Sequence, residues 1–337
     1  MHVIISIIIA CVISVGIFST AIFAYQYTIQ DGKLIEINET AILEEKFYSQ
    51  NFTGKKIFIL GSSLVSAGNA EYIQKYLLKN EQDYEVYNLA IMSDKPIKRL
   101  NTIESIIKAQ PDIVVYGIGF NDIYDQISME YLKLGVSLPD PRHFFAEFMW
   151  YLEMNTELNF NVLSSTRTVS FGVIDNILQK GIINPRHDKE IYEQPDIFVN
   201  TPFFRYYEYD RTLMNEKEIE MQIKELPLTV INPPEKNKNV IALKKTIEIL
   251  QENNIQVIIF TTPYNKLFYE ISPNYDQNAF NVIVEDLTKS TNTKINFLHS
   301  KYNNTGIWHA HDHLVVNENT TFYSKDIAKI IINELDK

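Results

Sequence analysis

Three short runs, Ile57–Leu60, Asp112–Ile118 and Gln256–Thr261, limit this chain more than anything else in it. Each is almost continuously apolar and rich in β-branched residues, the pattern of a strand buried on both faces rather than on one. Each also stops abruptly at small or polar residues: Gly61-Ser62-Ser63, Gly119-Phe120-Asn121-Asp122 and Thr262-Pro263-Tyr264. Helical patterns lie between and after them, at Ala70–Leu78, Ile97–Ala109, Val240–Asn253, Gln277–Thr288 and from about Thr320 to Leu335, and further strands fit Tyr84–Leu89 and Lys294–Leu298. Strand–helix alternation of this kind predicts an α/β fold with an open, parallel, five-stranded flavodoxin-like sheet and helices on both faces. In such sheets ligands bind beyond the carboxyl ends of the strands, so functional residues belong there.

The alternation is preceded and interrupted. Val3 to Ala24 carries no charge and is long enough to span a hydrocarbon core. It is longer than the apolar region of a cleaved signal peptide, and its n-region, Met1-His2, lacks the positive charge that precedes one. Residues 1–30 therefore read as an uncleaved signal anchor, a single transmembrane helix, with 31–54 as a polar stalk and 55–337 as the α/β domain. A large acidic domain behind such an anchor is most simply placed outside the cytoplasm. The formal charge of -11, with no basic stripe, argues against a nucleic-acid partner. The single cysteine, Cys11, rules out an intrachain disulfide and any cysteine-built metal site. Between about 125 and 234 the periodicity fails. Aromatics and a methionine crowd there at Phe144, Phe145, Phe148, Met149 and Trp150, and aromatics again from Phe203 to Tyr209. This insertion reads as seated on the main sheet by its rings, or as the wall of an acyl or sugar pocket.

Strand, Gly-Ser-Ser, helix presents a serine hydroxyl at a sheet edge beside backbone N–H groups, which suits a nucleophile. The same edge receives Asn88-Leu89-Ala90-Ile91-Met92-Ser93-Asp94 after the second strand and Gly119-Phe120-Asn121-Asp122 after the third. Near the C-terminus comes Trp308-His309-Ala310-His311-Asp312-His313-Leu314. Nucleophile, oxyanion donors and general base are the parts acyl transfer needs.

In these four blocks and their order the chain resembles the SGNH (GDSL-like) hydrolase family, over residues 57–122 and 240–335. The resemblance implies Ser63 as nucleophile behind Gly61, and an oxyanion hole of the Ser63 N–H, the Ser93 N–H (a glycine in the family) and the Asn121 amide. Gly119 and Asp122 complete the third block. It implies a histidine base, His313 first and His311 second. The family's orienting aspartate, three residues before the base, falls on Ala310 or Trp308, and neither can serve. Asp312 is adjacent to both histidines, but adjacent side chains usually diverge, so a Ser–His dyad is one expectation.

His309, His311 and His313 would share a side if that segment were extended, as three zinc-binding imidazoles do. The serine-based blocks explain the location better, and neither metal nor cofactor is expected. The implied activity is an esterase or deacylase acting on a small acyl ester or an acylated glycan. An O-acyltransferase is the alternative, and a non-catalytic envelope protein keeping the fold for binding is a third.

Overall fold

The computed structural model describes residues 39–126, 200–226, 229–302 and 306–337. The anchor at 1–30 and the aromatic cluster Phe144–Trp150 lie outside these residues. Among the described residues no helix is long and apolar enough to cross a membrane.

Helix α1, Glu39–Tyr48, leads into strand β1, Lys56–Leu60, and helix α2, Ala70–Leu78, follows β1. Strand β2 is Glu85–Asn88. Two short helices, α3 (Pro96–Leu100) and α4 (Ile103–Lys108), then stand where the sequence suggests one. Strand β3 is Ile113–Ile118, and α5, Phe120–Ile123, starts almost at once. Strands β4 (Asp125–Gln126) and β5 (Thr229–Val230) form a small antiparallel pair flanking the insertion, within which α6 spans Glu216–Lys224. Helix α7 (Lys238–Glu252), strand β6 (Gln256–Thr261), helices α8 (Lys266–Ile271) and α9 (Gln277–Thr291), strand β7 (Ile295–Phe297) and helix α10 (Thr321–Leu335) complete the order.

The main sheet runs β2-β1-β3-β6-β7 with every pairing parallel. This is the doubly wound order, in which the chain leaves β1 for one edge and returns past it to the other. Burial follows from that position. All of β1 and β3 is buried, whereas edge strand β2 alternates, with Val86 and Asn88 inward. Each fully buried Ile, Val or Phe contributes about 1.5–3 kcal/mol of transfer free energy, so the centre of the sheet dominates stability.

Residues 31–54 were expected to form a stalk, and their described part does not. Helix α1 lays Phe47 and Tyr48 into the core, against Phe58 and Phe203. Five charged or polar side chains in ten residues hide that face in the sequence, but Leu43 and Phe47 stand four apart on it. Phe203, Phe204 and Tyr206 are buried too, so this second aromatic cluster seats its part of the insertion on the α/β domain.

Where β1 ends the chain must turn within one residue, and Gly61 does it at φ +146°. A Cβ there would sit 2.5 Å from Val65 Cγ2 and 2.7 Å from the Gly117 carbonyl oxygen. Backbone cannot give way as a side-chain tip can. Gly61→Ala is therefore expected to cost at least about 2 kcal/mol, from the disfavoured φ and the overpacking together, read as a lowered thermal midpoint.

Candidate active site

Beyond Gly61 the chain makes a single 3-10 turn, Ser63–Val65, with Ser62 extended ahead of it. Ser63 is the first residue of that turn, so its N–H has no carbonyl to meet within it. The regular helix α2 begins only at Ala70, capped by the Asn69 side chain on Tyr72 N. The donors beside Ser63 are thus those of a short turn, not of a long helix.

Asn88 fixes the turn. Its buried side chain donates to the carbonyls of Val65 and Gly68, at 2.9 and 2.7 Å, and accepts from Ala90 N. Pairing with β1 continues past β2, through Leu89 N to Ile59 O and Ile91 N to Gly61 O, which brings the 91–94 loop alongside the serine turn. There Ser93 adopts φ +55°, a conformation glycine takes freely and a serine holds at a cost of about 1–2 kcal/mol. Asp94, next to it, is buried against Arg99.

The third block closes on itself: the Asp122 carboxylate accepts from Gly119 N at 2.7 Å. Burial is the main cause that pushes its pKa up to about 7, with the Gly119 N–H and the Ser62 hydroxyl pulling the other way. Asn121 N donates to the hydroxyl of buried Tyr264, which ties α5 to the end of β6.

The 308–314 segment is curled, not extended. Trp308 bridges Leu314, and His309 N and Val315 N donate to the carbonyls of His313 and Ile307. That curl turns two adjacent side chains toward one another. Asp312 Oδ1 lies 2.5 Å from His313 Nδ1, and His313 Nε2 lies 2.8 Å from Ser63 Oγ. Asp312, and neither Ala310 nor Trp308, is the residue beside the imidazole, and the expected divergence of neighbours does not occur. Burial opposes ionisation of Asp312, yet the surrounding histidines and the His313 hydrogen bond hold it well below the usual carboxylate range. Burial likewise works against a charged His313, and Asp312 outweighs it, so the ring's pKa lies above its ordinary value.

His311 does not face Ser63. It is buried, with its ring Nδ1 3.0 Å from Gln222 Oε1 and its Nε2 3.5 Å from Asp312 Oδ2. His309 stacks on His313, ring centroids 5.2 Å apart, and turns Nε2 toward Asp210. Among the described residues no three His, Cys, Asp or Glu side chains are grouped to hold a metal ion. Gln222, Asp210 and Tyr264 escape sequence reasoning. The first two come from the aperiodic insertion, and no spacing links them to the histidines.

Ser63, His313, Asp312 and Asn121 are therefore brought together from three loops at the carboxyl edge of the sheet, with Ser93 on the neighbouring loop. The arrangement can activate a hydroxyl, keep one imidazole in a fixed tautomer and stabilise its protonated form.

No family model and no curated protein sequence matches the chain. Among solved structures it is similar to the crystal structure of TesA, with 10% identity and a TM-score of 0.38 over 83% of this chain and 98% of that one.

Proposed function

We propose that this protein is a serine esterase or deacylase of the SGNH type, acting on O-acyl esters. The observation that carries the reading is the Ser63–His313–Asp312 relay, with contacts of 2.8 and 2.5 Å. Ser63 Oγ attacks the ester carbonyl while His313 Nε2 takes its proton. The carbonyl oxygen gains negative charge and meets the Ser63 and Ser93 N–H groups and the Asn121 amide, donors typically worth about 3 kcal/mol of barrier each. His313 returns the proton to the departing alcohol, leaving an acyl ester on Ser63. Water then attacks that ester, again giving its proton to His313 Nε2; the bond from the acyl carbon to Ser63 Oγ breaks, His313 returns the proton to Oγ, and the carboxylic acid leaves. Asp312 holds Nδ1 protonated throughout, so Nε2 is the accepting nitrogen at both attacks.

A non-catalytic binding protein is favoured less, because Asp312 stands beside His313 where an acid would be needed, although Ser93 still replaces a glycine. The uncharged run Val3–Ala24 supports a single-pass anchor with this domain outside the cytoplasm.

A fluorophosphonate tests the mechanism directly. Ser63 Oγ should form a bond to phosphorus as fluoride leaves, giving one adduct on the Ser63 peptide by mass spectrometry and none in Ser63→Ala or in acid-unfolded protein. An unlabelled wild type whose ester hydrolysis persists in Ser63→Ala would overturn the serine mechanism.

A further inference from the structure

Asn121 is implied as an oxyanion donor, yet in the resting site its amide is already engaged: Nδ2 lies 2.5 Å from Asp312 Oδ2. Its importance depends on what else holds that oxygen. His311 Nε2 is 3.5 Å away and could compete only if it carried a proton.

It does not carry one. Gln222 Oε1 accepts from the backbone N–H of His311 at 2.9 Å, and a backbone nitrogen can only donate, so that atom is the amide oxygen and not its NH2. The same oxygen stands 3.0 Å from His311 Nδ1 and requires the proton there. Burial, the main cause, lowers the ring's pKa and keeps it neutral, which leaves Nε2 with a lone pair and no hydrogen-bond partner among the described residues. Asp312 is buried, and its Oδ1 is committed to His313. Asn121 is thus the one hydrogen-bond donor to Oδ2 among the described residues.

The geometry points to Asn121 as the positioning residue that lets an aspartate adjacent to the base act as its acid. Its amide fixes Oδ2, and by doing so aims Oδ1 at His313 Nδ1. The other proton on Nδ2 remains for the substrate oxyanion. One side chain then touches both the charge that forms on the substrate and the carboxylate that stabilises the charge forming on His313. An acid on the base's own turn lacks the backbone separation that would otherwise set its angle, and Asn121 supplies the missing constraint from another loop.

The inference rests on the serine-hydrolase reading for its kinetic consequence, but its structural part is tested in the resting protein, where no oxyanion exists. The Nδ1–H of a histidine held against a carboxylate gives a far-downfield proton resonance. Wild type should show it, and Asn121→Ala and Asn121→Ser should both lose it while a surface control, Lys289→Ala, keeps it. In kcat for a simple aryl ester, Asn121→Ala should cost about 10³-fold with Asp312 present, at the upper end for an oxyanion donor, and at least tenfold less in an Asp312→Asn background.

A resonance retained in both Asn121 variants, with rate losses that simply multiply, would overturn the positioning role. So would its absence from wild type. Should Asn121→Ala fail to fold, the serine variant carries the same readout. Fluorophosphonate labelling of the same samples keeps the two ideas apart. Failure to label wild type Ser63 removes the hydrolase reading, whereas the resonance alone decides what orients Asp312.

Discussion

Asp312→Asn is expected to lower kcat by about 10⁴-fold with little change in the fold, because it forces the base into the wrong tautomer. Asn121 donates to Oδ2, so the new side chain must offer its carbonyl oxygen there and its NH2 to His313 Nδ1. A donor facing Nδ1 moves the ring proton to Nε2, and Nε2 can no longer accept from Ser63 Oγ. The pH profile adds a signed check. His313 must be neutral to act as base, and its pKa is raised chiefly by Asp312 against the opposing effect of burial. The wild-type acid limb of kcat/KM therefore lies above an ordinary histidine pKa of about 6.5. In Asp312→Asn the carboxylate charge is gone and burial remains, so the limb moves to lower pH while the plateau falls. A loss under tenfold with an unmoved limb would mean that Asp312 does not serve His313.

The largest stability effect is expected at Arg99, which is buried yet touches no residue of the relay. Its guanidinium pairs with Asp94 Oδ2 at 2.6 Å and Glu44 Oε1 at 3.1 Å, and donates to the Leu89 carbonyl. Arg99→Met fills similar volume but leaves two carboxylates buried without their cation, which typically costs about 3–5 kcal/mol. Burial is the main cause that already raises the pKa of both Glu44 and Asp94, with Arg99 pulling them down. Removing Arg99 raises them further. A carboxyl whose folded pKa exceeds its unfolded one loses stability as pH rises through the folded value, so the deficit of Arg99→Met should be greater at pH 8 than at pH 5. Denaturant melts at the two pH values read it, and an equal deficit at both would show that the carboxylates are not carrying the cost. Because Asp94 follows Ser93 directly, esterase activity should fall as well, through a loosened oxyanion loop.

That Arg99 cluster also marks where sequence reasoning stopped. Strands β1, β3 and β6 were legible because burial on both faces leaves a continuous apolar run, and the loops after them could be located from that alone. Ser63 and the Gly119–Asp122 block followed from position. Helix α1 was not legible, since the charges that solvate its outer face outweigh the few residues that dock it, and Glu44 is itself one of the buried partners. The part of Asp312 stayed open in the sequence for a different reason. Whether adjacent side chains diverge depends on backbone curvature, and the bridge from Trp308 to Leu314 that curls this segment is a tertiary pairing with no local signature. Ser93 shows the converse: a residue other than glycine holds a glycine-like φ, because the surrounding loop dictates the conformation.

Asp312 and His313 are consecutive residues on one turn, while Ser63 is on another loop some 250 positions earlier in the chain. Their motions are accordingly unequal. Any shift of the 308–314 turn carries Asp312 and His313 together, but draws Asp312 Oδ2 away from Asn121 and His313 Nε2 away from Ser63 at the same time. Heat or mild denaturant should thus abolish the proposed activity by parting the turn from Ser63 and from Asn121 together. Such a site fails by separation, and it recovers as soon as the three loops meet again.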